Sequence, residues 1–187
     1  MRSRISGFTL IELIITILVM TILLGIGVPS YLQFKEDNIL LGAAQSLYSD
    51  IQLARSEAVK RDTNTVSVNF FDLNDVNKAW CYRITDNSAC DTCSDTADSC
   101  DIHGDKILRG RGKTDFPGVN INVDIASAGS ATLAVSPRRS TTTATTIIFQ
   151  YGANTNKQVH IKTNLLGRVL MCTPATANGL TGIDTCS

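Results

Sequence analysis

Histidine is scarce in this chain. There are two, His103 and His160, among 187 residues. His103 falls in an acidic stretch and His160 in an alternating apolar segment, and neither groups in sequence with a nucleophile and an orienting carboxylate. The Gly-x-Ser-x-Gly, P-loop and His-Glu-x-x-His patterns are absent. The reading is a non-enzyme with no cofactor. Net charge is lacking as well: 17 basic residues balance 17 acidic ones, so there is no global basic signal for nucleic acid. No repeat period stands out. Charge is nearly absent from one stretch: from Phe8 to Val28 the only ionisable side chain is Glu12.

The chain is organised around that stretch. Its 21 residues, as a helix, measure roughly 31 Å, about the thickness of a bilayer's hydrocarbon core. A carboxylate inside such a span costs on the order of 3 kcal/mol, which makes Glu12 a functional candidate. The six-residue leader before Gly7 carries Arg2 and Arg4 and no acid. The positive-inside rule keeps this end in the cytoplasm and exports the chain beyond the span. In a secretory signal peptide the small-residue cleavage site comes after the apolar region. Here the small residue, Gly7, precedes it, so cleavage there would remove the charges and keep the helix. Loss of Arg2 and Arg4 leaves 15 basic against 17 acidic side chains. Gly25, Gly27 and Pro29 cluster at the far end, where the helix ladder is weakest. They mark either a bend or melted turn in a filament or merely the membrane exit.

Beyond Pro29, Leu40, Ala44, Leu47, Ile51, Ala54 and Ala58 recur at steps of three and four, the period of a helix stripe. One helix over about 8–61 is expected, its second half burying this stripe against the exported domain. From Val66 the period becomes two. Val66, Val68 and Phe70 alternate with polar residues, as do Trp80, Tyr82 and Ile84, and the segment 119–125 alternates most cleanly. Residues 131–135, 145–151, 158–162 and 168–172 are further short candidates. This pattern predicts antiparallel sheet packed on the helix stripe, an α+β domain. The organisation is a leader over 1–7, a membrane-spanning half-helix over 8–34 and an exported domain over 35–187. The polar run Ser140–Thr146 reads as a loop leading into an exposed strand edge.

All six cysteines lie beyond the span, and an even number in an exported domain reads as disulfides. Cys81, Cys90, Cys93 and Cys100 fall in the segment 79–105, together with six aspartates: Asp86, Asp91, Asp95, Asp98, Asp101 and Asp105. This reads as an exposed insertion held by two staples. Four cysteines allow three pairings; Cys81–Cys90 with Cys93–Cys100 is preferred because a Cys90–Cys93 bridge would be tight. Cys172 and Cys186 then pair and close a C-terminal loop, worth about 3 kcal/mol. A Cys90/Cys93 redox pair, a four-cysteine zinc site and calcium held by the aspartates are the other readings. The redox pair does not open a helix, the zinc spacing is irregular and the EF-hand pattern is absent.

Gly7-Phe8-Thr9-Leu10-Ile11-Glu12 behind a basic leader resembles the amino-terminal motif of the type IV pilin superfamily, which comprises type IV pilins and type II secretion pseudopilins. The resemblance covers about the first fifth of the chain. It implies cleavage between Gly7 and Phe8 by a prepilin peptidase, N-methylation of Phe8, and pairing of Glu12 with the terminal amine of a neighbouring subunit during assembly. A buried charge is tolerable where an opposite charge meets it. It also implies an inner-membrane precursor with a periplasmic domain, then an extracellular pilus or a periplasmic pseudopilus. A disulfide-closed C-terminal loop, here Cys172–Cys186, recurs in pilins.

Ala54-Arg55-Ser56-Glu57-Ala58 is similar to the sequence common in the GspH/FimT/FimU branch, which implies a minor pilin or minor pseudopilin. The first expectation is a FimU-like minor pilin that primes assembly near the pilus tip, supporting twitching and adhesion, with other minor pilins and the major pilin as partners. The second is a GspH-type pseudopilin of a type II secretion system. The third is a FimT-type DNA-binding pilin. Arg109, Arg111, Lys113, Arg138, Arg139 and Arg168 are the candidate DNA contacts, since arginine and lysine in glycine-rich loops approach phosphates closely. The Gly-Arg-x-Arg element of the FimT relatives stands here as Gly167-Arg168-Val169-Leu170, with leucine in place of the second arginine.

Overall fold

The computed structural model describes residues 9–61, 66–73, 79–85, 93, 109–124, 131–136, 144–152, 156–175, 180 and 182–186. The chain divides into two compact units, Met1–Glu36 and Asp37–Ser187. The boundary falls within a single helix, α1 (Leu10–Arg61).

In the first unit, Thr9 sets where α1 begins. Its Oγ1 accepts the Glu12 N–H at 3.4 Å and its carbonyl accepts the Leu13 N–H at 3.2 Å. Threonine with glutamate three residues later is the capping-box spacing. The β-branched run Ile14-Ile15-Thr16-Ile17 is a poor helix former in water. In hydrocarbon, however, every backbone polar group must be satisfied within the segment, and the helix satisfies them. Pro29 lies inside α1. It lacks the N–H that would reach the carbonyl four residues back. That residue is Gly25, where an added Cβ would meet nothing within 4 Å. The helix continues through this point.

In the second unit, the predicted stripe is the buried face of the helix. Leu40, Ala44, Leu47, Ile51, Ala54 and Ala58 are all fully buried, joined by Ala43. Fully burying a leucine or isoleucine side chain is worth about 1.5–3 kcal/mol each, so this stripe anchors the domain. The strands are β1 (Val66–Phe71), β2 (Cys81–Thr85), β3 (Arg109–Gly112), β4 (Val119–Val123), β5 (Ala131–Val135), β6 (Thr145–Tyr151), β7 (Gln158–Thr163) and β8 (Val169–Cys172). They form two four-stranded antiparallel sheets, ordered β3-β2-β1-β5 and β4-β6-β7-β8. Alternate residues face the core, as in Val119, Ile121 and Val123 of β4.

Trp80 joins the two sheets. Its indole N–H donates to the Val119 carbonyl at 2.7 Å, and its ring stands edge-on to Phe149 with centroids 6.3 Å apart. Phe70 and Tyr82 stack obliquely in the first sheet at 5.9 Å. Lys157 pairs with Asp37 at 2.9 Å, fastening the β6–β7 connection to the helix.

Two expectations change. The Arg109–Gly112 segment, read as a basic glycine-rich loop, is an edge strand paired with β2. Arginine and glycine show no apolar alternation. The strand forms because β2 offers it a ladder and its two arginines find a carboxylate. And β6, expected at an exposed edge after the Ser140–Thr146 run, is an interior strand between β4 and β7. It pairs with β4 through residues 147–151 and with β7 through residues 145–150, and its apolar residues Ile147 and Phe149 are fully buried. Residues 140–143 of that run lie outside the described residues.

Candidate functional site

Two features of the molecule carry chemistry. The first is the apolar helix around Glu12. Leu10, Ile11, Leu13, Ile14 and Ile15 are all more than half exposed, and the exposure continues to Phe34. The polar side chains between Leu10 and Val28 are Glu12, Thr16 and Thr21. The two threonines satisfy themselves: Thr16 Oγ1 donates to the Leu13 carbonyl at 2.9 Å and Thr21 Oγ1 to the Leu18 carbonyl at 2.8 Å. Glu12 does not; among the described residues nothing meets its carboxylate. An unpartnered carboxylate within an unpartnered apolar surface is the signature of an assembly or membrane face. Gly7 and Phe8, the expected cleavage and methylation positions, lie outside the described residues.

The second feature is an ion cluster in the Asp37–Ser187 unit that the stripe reading missed. Asp50 is fully buried on the inward face of the helix. Its Oδ2 accepts the Tyr82 hydroxyl at 2.8 Å. Arg109 Nε lies 3.2 Å from Oδ1 and Arg111 Nε 3.4 Å from Oδ2. Tyr82 faces Arg111 across the β2–β3 ladder, and Ile84 faces Arg109. Side chains two apart on a strand share a face, so both arginines reach the helix while Gly110 and Gly112 turn away. On that other face an added Cβ at Gly112 would come within 3.0 Å of the Trp80 carbonyl and 3.3 Å of Cys81 Cβ. Burial pushes the Tyr82 phenol well above its usual range, and the Asp50 carboxylate adds to this. Tyr82 is therefore a fixed hydrogen-bond donor.

The remaining basic candidates fall in different places. Lys113 comes directly after β3 in the first sheet; Arg168 precedes β8 in the second. Arg168 is held at an exposed turn where Asn164 Oδ1 accepts the backbone N–H groups of Leu166 and Arg168, at 3.1 and 2.8 Å. Arg138 and Arg139 lie outside the described residues.

The cysteines pair differently from the preferred scheme. Cys81 bonds Cys93, twelve residues on, rather than Cys90. Arg83 Nη2 donates to the Cys93 carbonyl at 3.2 Å, so Cys93 is held against β2 by two contacts. This bridge takes two of the four thiols of the zinc reading and separates Cys93 from Cys90 in the redox reading. Cys90 and Cys100 lie outside the described residues. Cys172 bonds Cys186. The loop between them is also tied by backbone bonds, Thr173 N–H to the Asp184 carbonyl at 2.9 Å and Cys186 N–H to the Thr173 carbonyl at 2.8 Å. His160, on β7, is half-buried with its Nε2 3.4 Å from Gln158 Oε1. No group of three or more His, Cys, Asp or Glu residues suited to a metal occurs among the described residues.

Comparison with known proteins places this architecture. Residues 43–167 match the family model for the type II transport protein GspH. The chain belongs to that family. Residues 2–28 match the prokaryotic N-terminal methylation motif. Together these make it a member of the type IV pilin superfamily, a structural rather than an enzymatic family. It is a membrane-anchored precursor whose destination is a pilus or pseudopilus. The crystal structure of the type IV minor pilin FimU from Pseudomonas aeruginosa PAO1 in space group P21 is similar in fold. Its TM-score is 0.50 at 21% identity, covering 75% of this chain and 92% of that one. A second crystal form of FimU gives 0.48, again at 21% identity, over 72% and 92%. No curated protein matches the chain.

Proposed function

We propose that this member of the GspH family acts as a FimU-like minor pilin of a type IV pilus. It helps prime assembly, sits at or near the tip, and so supports twitching motility and adhesion. In this reading a prepilin peptidase cuts after Gly7 and Phe8 is N-methylated. The precursor waits in the inner membrane as a single span with its disulfide-bonded domain, within 35–187, in the periplasm. The observation that carries the reading is Glu12. Among the described residues from Leu10 to Val28 it is the one polar side chain left unsatisfied, on an apolar, N-capped helix. A carboxylate in hydrocarbon favours any event that delivers a cation, and the terminal amine of the adjoining subunit is such a cation. Extraction from the membrane into a filament then lowers the free energy of both groups. Deleting the gene should reduce surface pili and twitching zones several-fold. Unchanged pilus number and twitching would refute the pilus assignment.

A second reading, a minor pseudopilin of a type II secretion system, is favoured by the GspH family match over residues 43–167. Both readings share the chemistry of α1. Loss of exoprotein secretion with normal pili in the same deletion strain would select it. DNA uptake has less support. Asp50 offsets one of the two charges of Arg109 and Arg111, and Arg168 stands in the other sheet.

A further inference from the structure

The Asp50 cluster is more than a structural ion pair. Arg109 and Arg111 meet Asp50 as ion pairs through Nε, at 3.2 and 3.4 Å. Their terminal Nη groups have no hydrogen-bond or ion-pair partner among the described residues, and 46% and 27% of these side chains remain exposed. Asp50 is fully buried and cannot follow them outward. The guanidiniums are thus paired by charge at the stem and open at the tip, side by side on an edge strand. Two positive charges against one negative leave a net single positive charge. Tyr82 is held protonated and adds none.

At the Gly112 end of this edge the backbone is already engaged. Asp115 Oδ2 accepts the Gly112 N–H at 2.8 Å, and the Asp115 N–H donates to the Gly112 carbonyl at 3.0 Å. A guanidinium is suited to a planar, bidentate oxyanion, and fixing the stem in advance removes much of the ordering cost.

We propose that Arg109 and Arg111 form a carboxylate fork, pre-organised by Asp50, that takes an aspartate or glutamate side chain of a neighbouring pilin subunit. A single net charge matches one carboxylate. Duplex DNA presents many phosphates and rewards a larger positive field. The proposal rests on the assembly reading above for the identity of the partner, but not for the chemistry of the fork.

The test uses the full chain in detergent micelles, with the side-chain Nε–H signals of the arginines monitored by NMR. The probe is N-acetylglutamate methylamide, a single carboxylate; N-acetylglutamine methylamide is the control. The Arg109 and Arg111 signals should move and saturate with a Kd of about 1–10 mM for the acid, and not for the amide. Asp50→Asn supplies the decisive sign. It raises the local charge, so an unorganised basic patch would bind more tightly. A fork that has lost its backing should bind about tenfold more weakly. Arg111→Lys keeps both the charge and Asp50 and should also weaken binding about tenfold. Its result stands even if Asp50→Asn does not fold. Equal response to acid and amide, tighter binding by Asp50→Asn, or tighter saturation by inorganic phosphate with displacement by duplex DNA would each overturn the proposal. Glu12→Val, which removes the assembly carboxylate and leaves the fork intact, separates the two readings. Filaments without a saturable titration would sink the fork alone. A normal titration without filaments in the wild type would sink the assembly reading alone.

Discussion

Replacing Asp50 by alanine is expected to destabilise the domain by about 3 kcal/mol, and the structure gives the components. The Tyr82 hydroxyl would lose its acceptor in a fully buried site; an unmet buried donor costs about 1–3 kcal/mol. Arg109 and Arg111 would lose their counter-charge. Breaking a fully buried pair costs about 3–5 kcal/mol, but both side chains are partly solvated, so their share is nearer 1 kcal/mol. For a domain of this size the total corresponds to a fall in Tm of about 6–12 °C. Asp50→Asn keeps an acceptor for Tyr82 and should lose only about 1 kcal/mol. Tyr82→Phe should cost about 1 kcal/mol alone, and the double change with Asp50→Ala should cost less than the sum, because the two share one bond. Urea unfolding monitored by fluorescence reads all of these at one reporter. Trp80 is the only tryptophan and lies where the two sheets meet. If Asp50→Ala unfolds within 0.5 kcal/mol of the parent, about the scatter of a neutral surface change, or if asparagine costs more than alanine, the reasoning about this cluster is wrong.

Three further outcomes are expected. Changing Cys172 and Cys186 together to serine opens a loop whose ends are 14 residues apart and should cost about 3 kcal/mol in urea unfolding; equal midpoints for the variant and the non-reduced parent would contradict this. Gly112→Val places atoms against the Trp80 carbonyl and Cys81 Cβ and should cost about 1–3 kcal/mol, seen as a lower urea midpoint, whereas valine at the open Gly42 site should cost less. Burial lowers the His160 pKa, with Lys162 adding to the effect and Asp124 opposing it. The unfolded chain therefore binds the proton more readily, and stability should fall as pH drops through about 6.5 toward the lower folded value. His160→Gln should flatten the difference in urea midpoint between pH 7.5 and pH 5.5.

Each sequence signal was as readable as its physical origin was local. The membrane helix was legible because its composition alone meets the bilayer's demand. The stripe from Leu40 to Ala58 was legible because packing on one face imposes its period, and β4, β5 and β6 because one apolar face imposes a period of two. β3 was not legible: Arg109-Gly-Arg-Gly112 carries no apolar pattern, and its reason for being a strand lies on the helix, in Asp50. Asp50 itself left a trace. It lies three residues after Leu47 and four before Ala54, a spacing that puts it on the buried stripe and asks for a cationic partner. Cysteine pairing was out of reach because it depends on where the chain returns: Cys93 comes back against β2, where Arg83 also holds it, and nothing in the spacing of residues 81–100 records that. Gly167-Arg168 stood out as a motif, but not its placement in a different sheet from β3, since the division of strands between two sheets is a long-range property.

Whether the chain enters a filament through Glu12 is the most direct test. Sheared pili or pseudopili and the inner-membrane fraction would be compared by quantitative mass spectrometry in cells expressing the parent or Glu12→Val. Assembly through Glu12 predicts the parent in the filament fraction, its N-terminal peptide beginning at a methylated Phe8, and the variant confined to the membrane. Equal incorporation of Glu12→Val, or absence of the parent from every filament fraction, would contradict it.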